Sequence, residues 1–262
     1  MRIPYYHVDA FTTKTFGGNP AGVCILERWP TDEILQRIAA ENNLAMTAFL
    51  VPHQDDGWQL RWFMPVAEMN LCGHATLAAA FILFEERGFL GRCARFHTRS
   101  GCLTAERYGG VIEIDFQAWV PQPCPAPELL ARAFGRQPCE VLQARDYLAV
   151  FDSPSEVAAL APDMSLLAAL DSFGVVATAR GEDADFVSRF FAPRAGIPED
   201  SVTGSAHASL IPFWAGRLGK TELFARQISH RGGELYCRLK GDRVGIGGRA
   251  VLYGRGELEI PV

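Results

Sequence analysis

Short runs of alternating apolar and polar residues dominate the first half of the chain. Ile3–Val8, Val23–Leu26, Ala48–Val51, Gln59–Phe63, Leu103–Tyr108 and Val111–Phe116 read as strands. Tyr108-Gly109-Gly110-Val111 predicts a tight hairpin between the last two. Two segments instead carry the helical period. Thr31–Glu41 has acidic residues in its first turn and Ile34, Leu35, Ile38 and Ala39 on one face. His74–Arg87 is apolar nearly all round, which predicts a helix buried on every side and stopped by Gly88.

Val120–Pro127 places four prolines in seven positions and reads as a linker near mid-chain. The same texture then returns. Pro127–Phe134 predicts a short helix ended by Gly135, and Tyr147–Phe151, Gly174–Thr178, Phe186–Phe191, Glu222–Ser229, Leu235–Lys240 and Arg243–Ile246 predict strands. A second apolar helix runs from about Ser205 toward Gly216, with Pro212 expected to bend it. Many strands around one buried helix in each half predict an α+β fold of two pseudo-symmetric domains, each a curved sheet around a central helix.

The halves also share an order of landmarks: a strand, Phe-x-Pro, an acid, a glycine, a helix. Glu68, Gly73 and His74-Ala75 recur as Glu199, Gly204 and Ser205-Ala206, each 131 residues on, and Phe63-Met64-Pro65 recurs as Phe191-Ala192-Pro193 at 128. We read two repeats, residues 1–119 with a returning C-terminal strand at about 250–262, and residues 126–249.

Length and composition narrow the function classes. A chain of 262 residues with 48% hydrophobic and 21% charged residues buries a full core without metal or disulfide staples. A formal charge of −5 offers no basic surface to nucleic acid. The apolar run Leu71–Phe84 is too short to span a bilayer, and no signal-peptide pattern opens the chain. Seven scattered cysteines without a C-x-x-C pair read as reduced thiols, mostly core filler, in a cytoplasmic protein. His7, His53, His97 and His230 have no ligand-like spacing, so no metal site is expected.

Chemistry concentrates where each repeat starts its buried helix. A helix N-terminus presents unpaired N–H groups and about half a positive charge, which suits an anion such as a small carboxylate. The side chains there are Cys72 and His74 in one half, and Asp200, Ser201, Thr203 and Ser205 in the other. Singly, each is explained as a cap or a hydrogen-bonded residue. Brought together by the repeat into one cleft, His74, Asp200 and Ser205 read as a site. Ser205 and His207 are two apart on a helix and cannot form a dyad, and Thr203-Gly204-Ser205-Ala206-His207 is not a nucleophile elbow. Gly245-Ile246-Gly247-Gly248 precedes strand-like Ala250–Tyr253 and is no dinucleotide loop.

Val8-Asp9-Ala10-Phe11, Phe16-Gly17-Gly18-Asn19-Pro20-Ala21-Gly22-Val23, Leu71-Cys72-Gly73-His74-Ala75-Thr76 and Gly196–His207 together make the chain resemble the PhzF family of phenazine-biosynthesis-like isomerases, with a diaminopimelate epimerase-like fold. The resemblance covers nearly the whole chain. It implies a homodimer, an active site between the domains, and an isomerase that moves a proton between carbons of a small carboxylate without metal or organic cofactor. It assigns substrate binding or proton transfer to His74, Asp200 and Ser205, and pocket positions to Asn19, Gly73, Thr203 and Gly204. One position departs. Where the family carries Ser-Glu-Thr-Ala-Phe with a glutamate acid/base, this chain reads Ala45-Met46-Thr47-Ala48-Phe49, and Met46 cannot carry a proton. Losing a general base costs about 10²–10⁴-fold in rate. Met46 is then either a space-filling methionine or the mark of altered chemistry, with His74 or Asp200 as the base. Glu41 belongs on the exposed end of its helix. Cys72 matches one of two opposed thiols in related racemases, but its counterpart is Thr203 or Val202, which disfavours a two-thiol racemase and leaves a single-thiolate role for Cys72 open. The alternative is a catalytically silent small-molecule-binding member. A purely structural dimer module would need the cleft filled by its own side chains.

Overall fold

A computed structural model describes residues 1–54 and 57–260. The chain divides into two compact units, Met1–Asp115 with Gly247–Val262, and Phe116–Ile246. Residues 116–119, expected in the first domain, lie in the second unit, and 247–249 lie in the first. Pro261 and Val262, expected to finish the returning strand, lie outside the described residues.

The first unit contains β1 (Arg2–Ala10), β2 (Asn19–Ile25), α1 (Asp32–Asn42), β3 (Met46–His53), β4 (Gly57–Phe63), β5 (Glu68–Met69), α2 (Gly73–Glu85), β6 (Cys93–Thr98), β7 (Gly101–Tyr108) and β8 (Val111–Gln117). β1 runs antiparallel to β2, β2 parallel to β3, β3 antiparallel to β4, β4 parallel to β6, and β6 antiparallel to β7. The β7–β8 hairpin turns on Gly109 and Gly110, both at positive φ, so only a residue without Cβ adopts the turn cheaply. Nearly every residue of α2 is buried, because β1, β2, β3 and β7 surround it and Ala78-Ala79-Ala80 let them approach.

The second unit contains β9 (Gln122–Pro123), α3 (Glu128–Phe134), β10 (Glu140–Gln143), β11 (Tyr147–Val150), α4 (Pro154–Ala158), α5 (Met164–Ala168), β12 (Val175–Arg180), β13 (Phe186–Ala192), a 3₁₀ turn, β14 (Ile197–Asp200), α6 (Gly204–Leu218), β15 (Glu222–Gln227), β16 (Gly233–Lys240) and β17 (Arg243–Gly248). The last strand, β18 (Ala250–Glu259), returns to pair antiparallel with β1. The strand pairing of the first unit recurs in order: β10 antiparallel to β11, β11 parallel to β12, β12 antiparallel to β13, β13 parallel to β15, β15 antiparallel to β16. Register fixes the correspondence residue by residue. Phe63 pairs with Thr47 and Thr47 with Gly22; Phe191 pairs with Val175 and Val175 with Tyr147.

The linker expectation needs correction. Gln122 and Pro123 pair with Gln143 and Leu142, and Ala118 and Trp119 donate backbone N–H groups to Asp242 and Ala208, so the proline-rich run is an edge strand fastened to the second unit. α6 continues through Pro212 to Leu218. The ring removes one helical donor, and the carbonyl that would have accepted it, that of Ala208, takes the Trp119 N–H at 2.9 Å instead. No disulfide links the seven cysteines, and only Cys24, Cys72 and Cys237 are buried; Cys93, Cys102 and Cys139 are exposed, against the core-filler reading.

Candidate active site

In the first unit the loop before β2 sets Asn19. Phe11, Phe16 and Gly18 all take positive φ, and a Cβ on Gly18 would meet the Ala10 carbonyl oxygen at 2.1 Å. The buried Asp9 carboxylate accepts the Phe16 N–H at 2.9 Å and holds this bend. Asn19, buried at the start of β2, then donates from Nδ2 to His74 Nδ1 at 3.3 Å. His74 is the second residue of α2 and is 6% exposed. Cys72 Sγ stands 3.5 Å from the same ring nitrogen. That nitrogen has one lone pair, and the amide is the nearer donor.

Met46 begins β3, paired with Ala21, and is 5% exposed. Its register equivalent in the second unit is Gly174. Glu41 is exposed, as expected.

In the second unit Thr203 precedes α6 but does not cap it. Its hydroxyl donates to Asp200 Oδ2 at 2.6 Å. The Gln227 side chain, fully buried on β15, accepts the Thr203 N–H at 2.8 Å and donates to the Asp200 carbonyl at 2.8 Å. Neither α2 nor α6 has a side-chain cap or an acidic residue in its first turn, so the positive end of each dipole stays uncompensated by its own residues. Both starts carry the same stitch: Thr76 Oγ1 donates to Cys72 O at 2.5 Å, and His207 Nδ1 donates to Thr203 O at 2.9 Å. His207 is wholly buried, and burial pushes its pKa down to about 4. It is a neutral structural histidine, which removes it from any dyad with Ser205.

Ser205 has a neighbour that sequence reasoning missed. Arg145 Nη2 donates to Ser205 Oγ at 3.3 Å, while Nε and Nη2 donate to Asp146 Oδ2 at 3.0 and 2.6 Å. Its guanidinium lies 4.9 Å from both the Trp119 and the Phe173 ring centroids. Gln227 was missed too. Neither lies in a local motif, although Arg145-Asp146 just before a strand was a visible charge pair.

Thus Asn19, Cys72, Gly73 and His74 come together in the first unit, and Asp200, Thr203, Gly204 and Ser205 in the second. Among the described residues no group of three metal-ligating side chains occurs. Among the same residues no helix is long and apolar enough to cross a membrane.

Comparison with known proteins bears on the whole length. The profile of phenazine biosynthesis-like proteins (PhzC-PhzF) matches residues 8–256. An uncharacterised isomerase of Pseudomonas aeruginosa is 49% identical over 260 residues, covering 99% of this chain and all of that one. A phenazine biosynthesis PhzF-family protein of Enterococcus faecalis superposes with a TM-score of 0.97 at 44% identity, covering 99% of this chain and 100% of the other. A hydroxyproline epimerase of Agrobacterium vitis shares the fold alone, with a TM-score of 0.63 at 12% identity over 98% of this chain and 92% of that one.

Proposed function

Because the chain belongs to the phenazine biosynthesis-like (PhzC-PhzF) family, we propose that it is a cofactor-independent isomerase that shifts a proton between carbons of a small carboxylate, with acid/base machinery altered at Met46. The observation that carries this reading is the Asn19–His74 pair at the start of α2. With the carboxamide turned so that Oδ1 accepts from Nδ1–H, Nε2 takes a proton from one carbon of the substrate, and the imidazolium so formed returns it from Nε2 to another carbon, which leaves the ring neutral as it began. In this reading Asp200 orients and tunes the imidazole, Ser205 and the two helix N-termini hold the substrate carboxylate, and Asn19, Gly73, Thr203 and Gly204 line the pocket. In the same reading the protein works as a homodimer.

The test is deuterium uptake into carbon positions in D₂O, scored by mass spectrometry across small amino and hydroxy acids and a dihydro-hydroxyanthranilate. The wild type is expected to exchange, and His74→Ala or Asp200→Ala to stop exchange while melting normally. Exchange that survives His74→Ala overturns the assignment. The buried thioether at position 46 favours one competing reading, a binding protein that has lost its proton shuttle. Exchange by Met46→Glu alone would establish it.

A further inference from the structure

We infer that Arg145 is a substrate-binding residue, which clamps a small planar carboxylate at the start of α6 and so determines specificity for anionic substrates. The inference rests on reading that helix start as the carboxylate's seat. It begins from the repeat. By strand register Pro20 corresponds to Arg145, and by the 131-residue offset His74 corresponds to Ser205. Each unit therefore brings a polar side chain from the start of its second repeat strand to the second residue of its central helix, at 3.3 Å in both: Asn19 to His74, and Arg145, one register position further on, to Ser205. The geometry is shared and the chemistry is divided. One unit carries a titratable ring, the other a permanent cation.

The guanidinium is built to be used. The buried Asp146 carboxylate takes the Nε and Nη2 hydrogens on one edge, and the Trp119 and Phe173 rings each lie 4.9 Å from the guanidinium carbon. Trp119 is itself pinned to α6 through the carbonyl that Pro212 leaves open. Yet the Arg145 side chain stays 31% exposed, and its two Nη1 hydrogens have no acceptor among the described residues. Arg145 also donates to Ser205 Oγ, which leaves the hydroxyl's own hydrogen to donate outward. An arriving carboxylate meets Nη1, the Ser205 hydroxyl and the first amides of α6, all donors. A residue serving only as glue would not need a free edge beside Ser205.

The test is calorimetric binding of acetate, benzoate, anthranilate and oxalate, with benzamide as the uncharged control. Wild type is compared with Arg145→Lys, which keeps a cation for Asp146, and with the neutral pair Arg145→Gln/Asp146→Asn. At least one carboxylate should bind the wild type about tenfold or more tightly than the neutral pair, with Arg145→Lys between them and benzamide indifferent. If every carboxylate fails to bind, or binds all three proteins alike, the inference falls. Arg145-dependent binding without deuterium exchange keeps this inference and removes the isomerase reading. Exchange with an unchanged KM in the neutral pair does the reverse.

Discussion

Trp119 donates its backbone N–H to the carbonyl oxygen of Ala208 at 2.9 Å, the one acceptor that Pro212 strips of its helical donor. A proline inside a helix, costing about 3 kcal/mol in an exposed peptide, here opens a docking point for the residue that stacks on Arg145. Pro212→Ala restores a competing N–H. The expected result is an unchanged or raised melting temperature together with looser Trp119, seen as a red-shifted tryptophan emission. With the Trp119 component identified by comparison with Trp119→Phe, an emission that Pro212→Ala leaves unaltered would show that the docking does not depend on the proline.

The bidentate pair of Arg61 with Glu68, at 2.7 and 2.8 Å, is repeated by Arg189 with Glu199, at 2.7 and 2.9 Å. Both sit half-sheltered over a phenylalanine ring, Phe63 and Phe191. They differ at Nη1: Arg61 donates there to the exposed Asp32 carboxylate at 2.8 Å, whereas Arg189 donates to the carbonyls of Val157, Ala158 and Leu160 at the end of α4. Arg189→Met should cost about 2–3 kcal/mol and exceed Arg61→Met in urea unfolding. Equal costs would mean the carbonyl contacts contribute little.

His207 gives acid sensitivity with a defined sign. Its folded pKa of about 4 lies below the ordinary value, so between about pH 6.5 and pH 4 the unfolded chain binds the proton and the folded one does not. Its contribution is fully present above about pH 6.5 and is lost as pH falls, by up to about 1.4 kcal/mol per pH unit. His207→Asn, which keeps a donor toward Thr203 O, should flatten that part of the urea-midpoint profile between pH 7.5 and 4.5. A slope unchanged by the substitution would assign the acid sensitivity elsewhere.

Asn19→Asp replaces a neutral donor at His74 Nδ1 with a carboxylate that favours the imidazolium. The titration midpoint of the His74 Cε1 proton resonance should rise relative to wild type, while Asn19→Leu should not raise it. A midpoint that stays put in the aspartate variant would show that the contact does not set the ring's protonation.

Both central helices were legible because their all-apolar character and flanking glycines are local signals, and each was placed within one residue of its start. β6 and β10 were missed for a physical reason. Cys93–Thr98 interleaves Arg95 and His97 with its apolar face, and Glu140–Gln143 is four residues long with polar ends. α4 and α5 are too short for a helical period, yet their caps were readable. Ser153 accepts the Glu156 N–H and Asp163 accepts those of Ser165 and Leu166, a Ser-x-x-Glu box and an aspartate cap. At the site, His74 and Ser205 stood out by position in the repeat. Gln227 and Arg145 did not, because strand pairing brings them in from 24 and 60 residues away.

The return of β18 to β1 has a consequence for how the chain is made. The second unit is contiguous, Phe116–Ile246, whereas the first needs a strand that leaves the ribosome more than two hundred residues after its partner. During synthesis the first-begun half is the last to be completed, with an open edge along β1 until residues 250–259 emerge. Nascent chains stalled before residue 250 should therefore hold a protease-resistant second unit beside a first unit still vulnerable to cleavage.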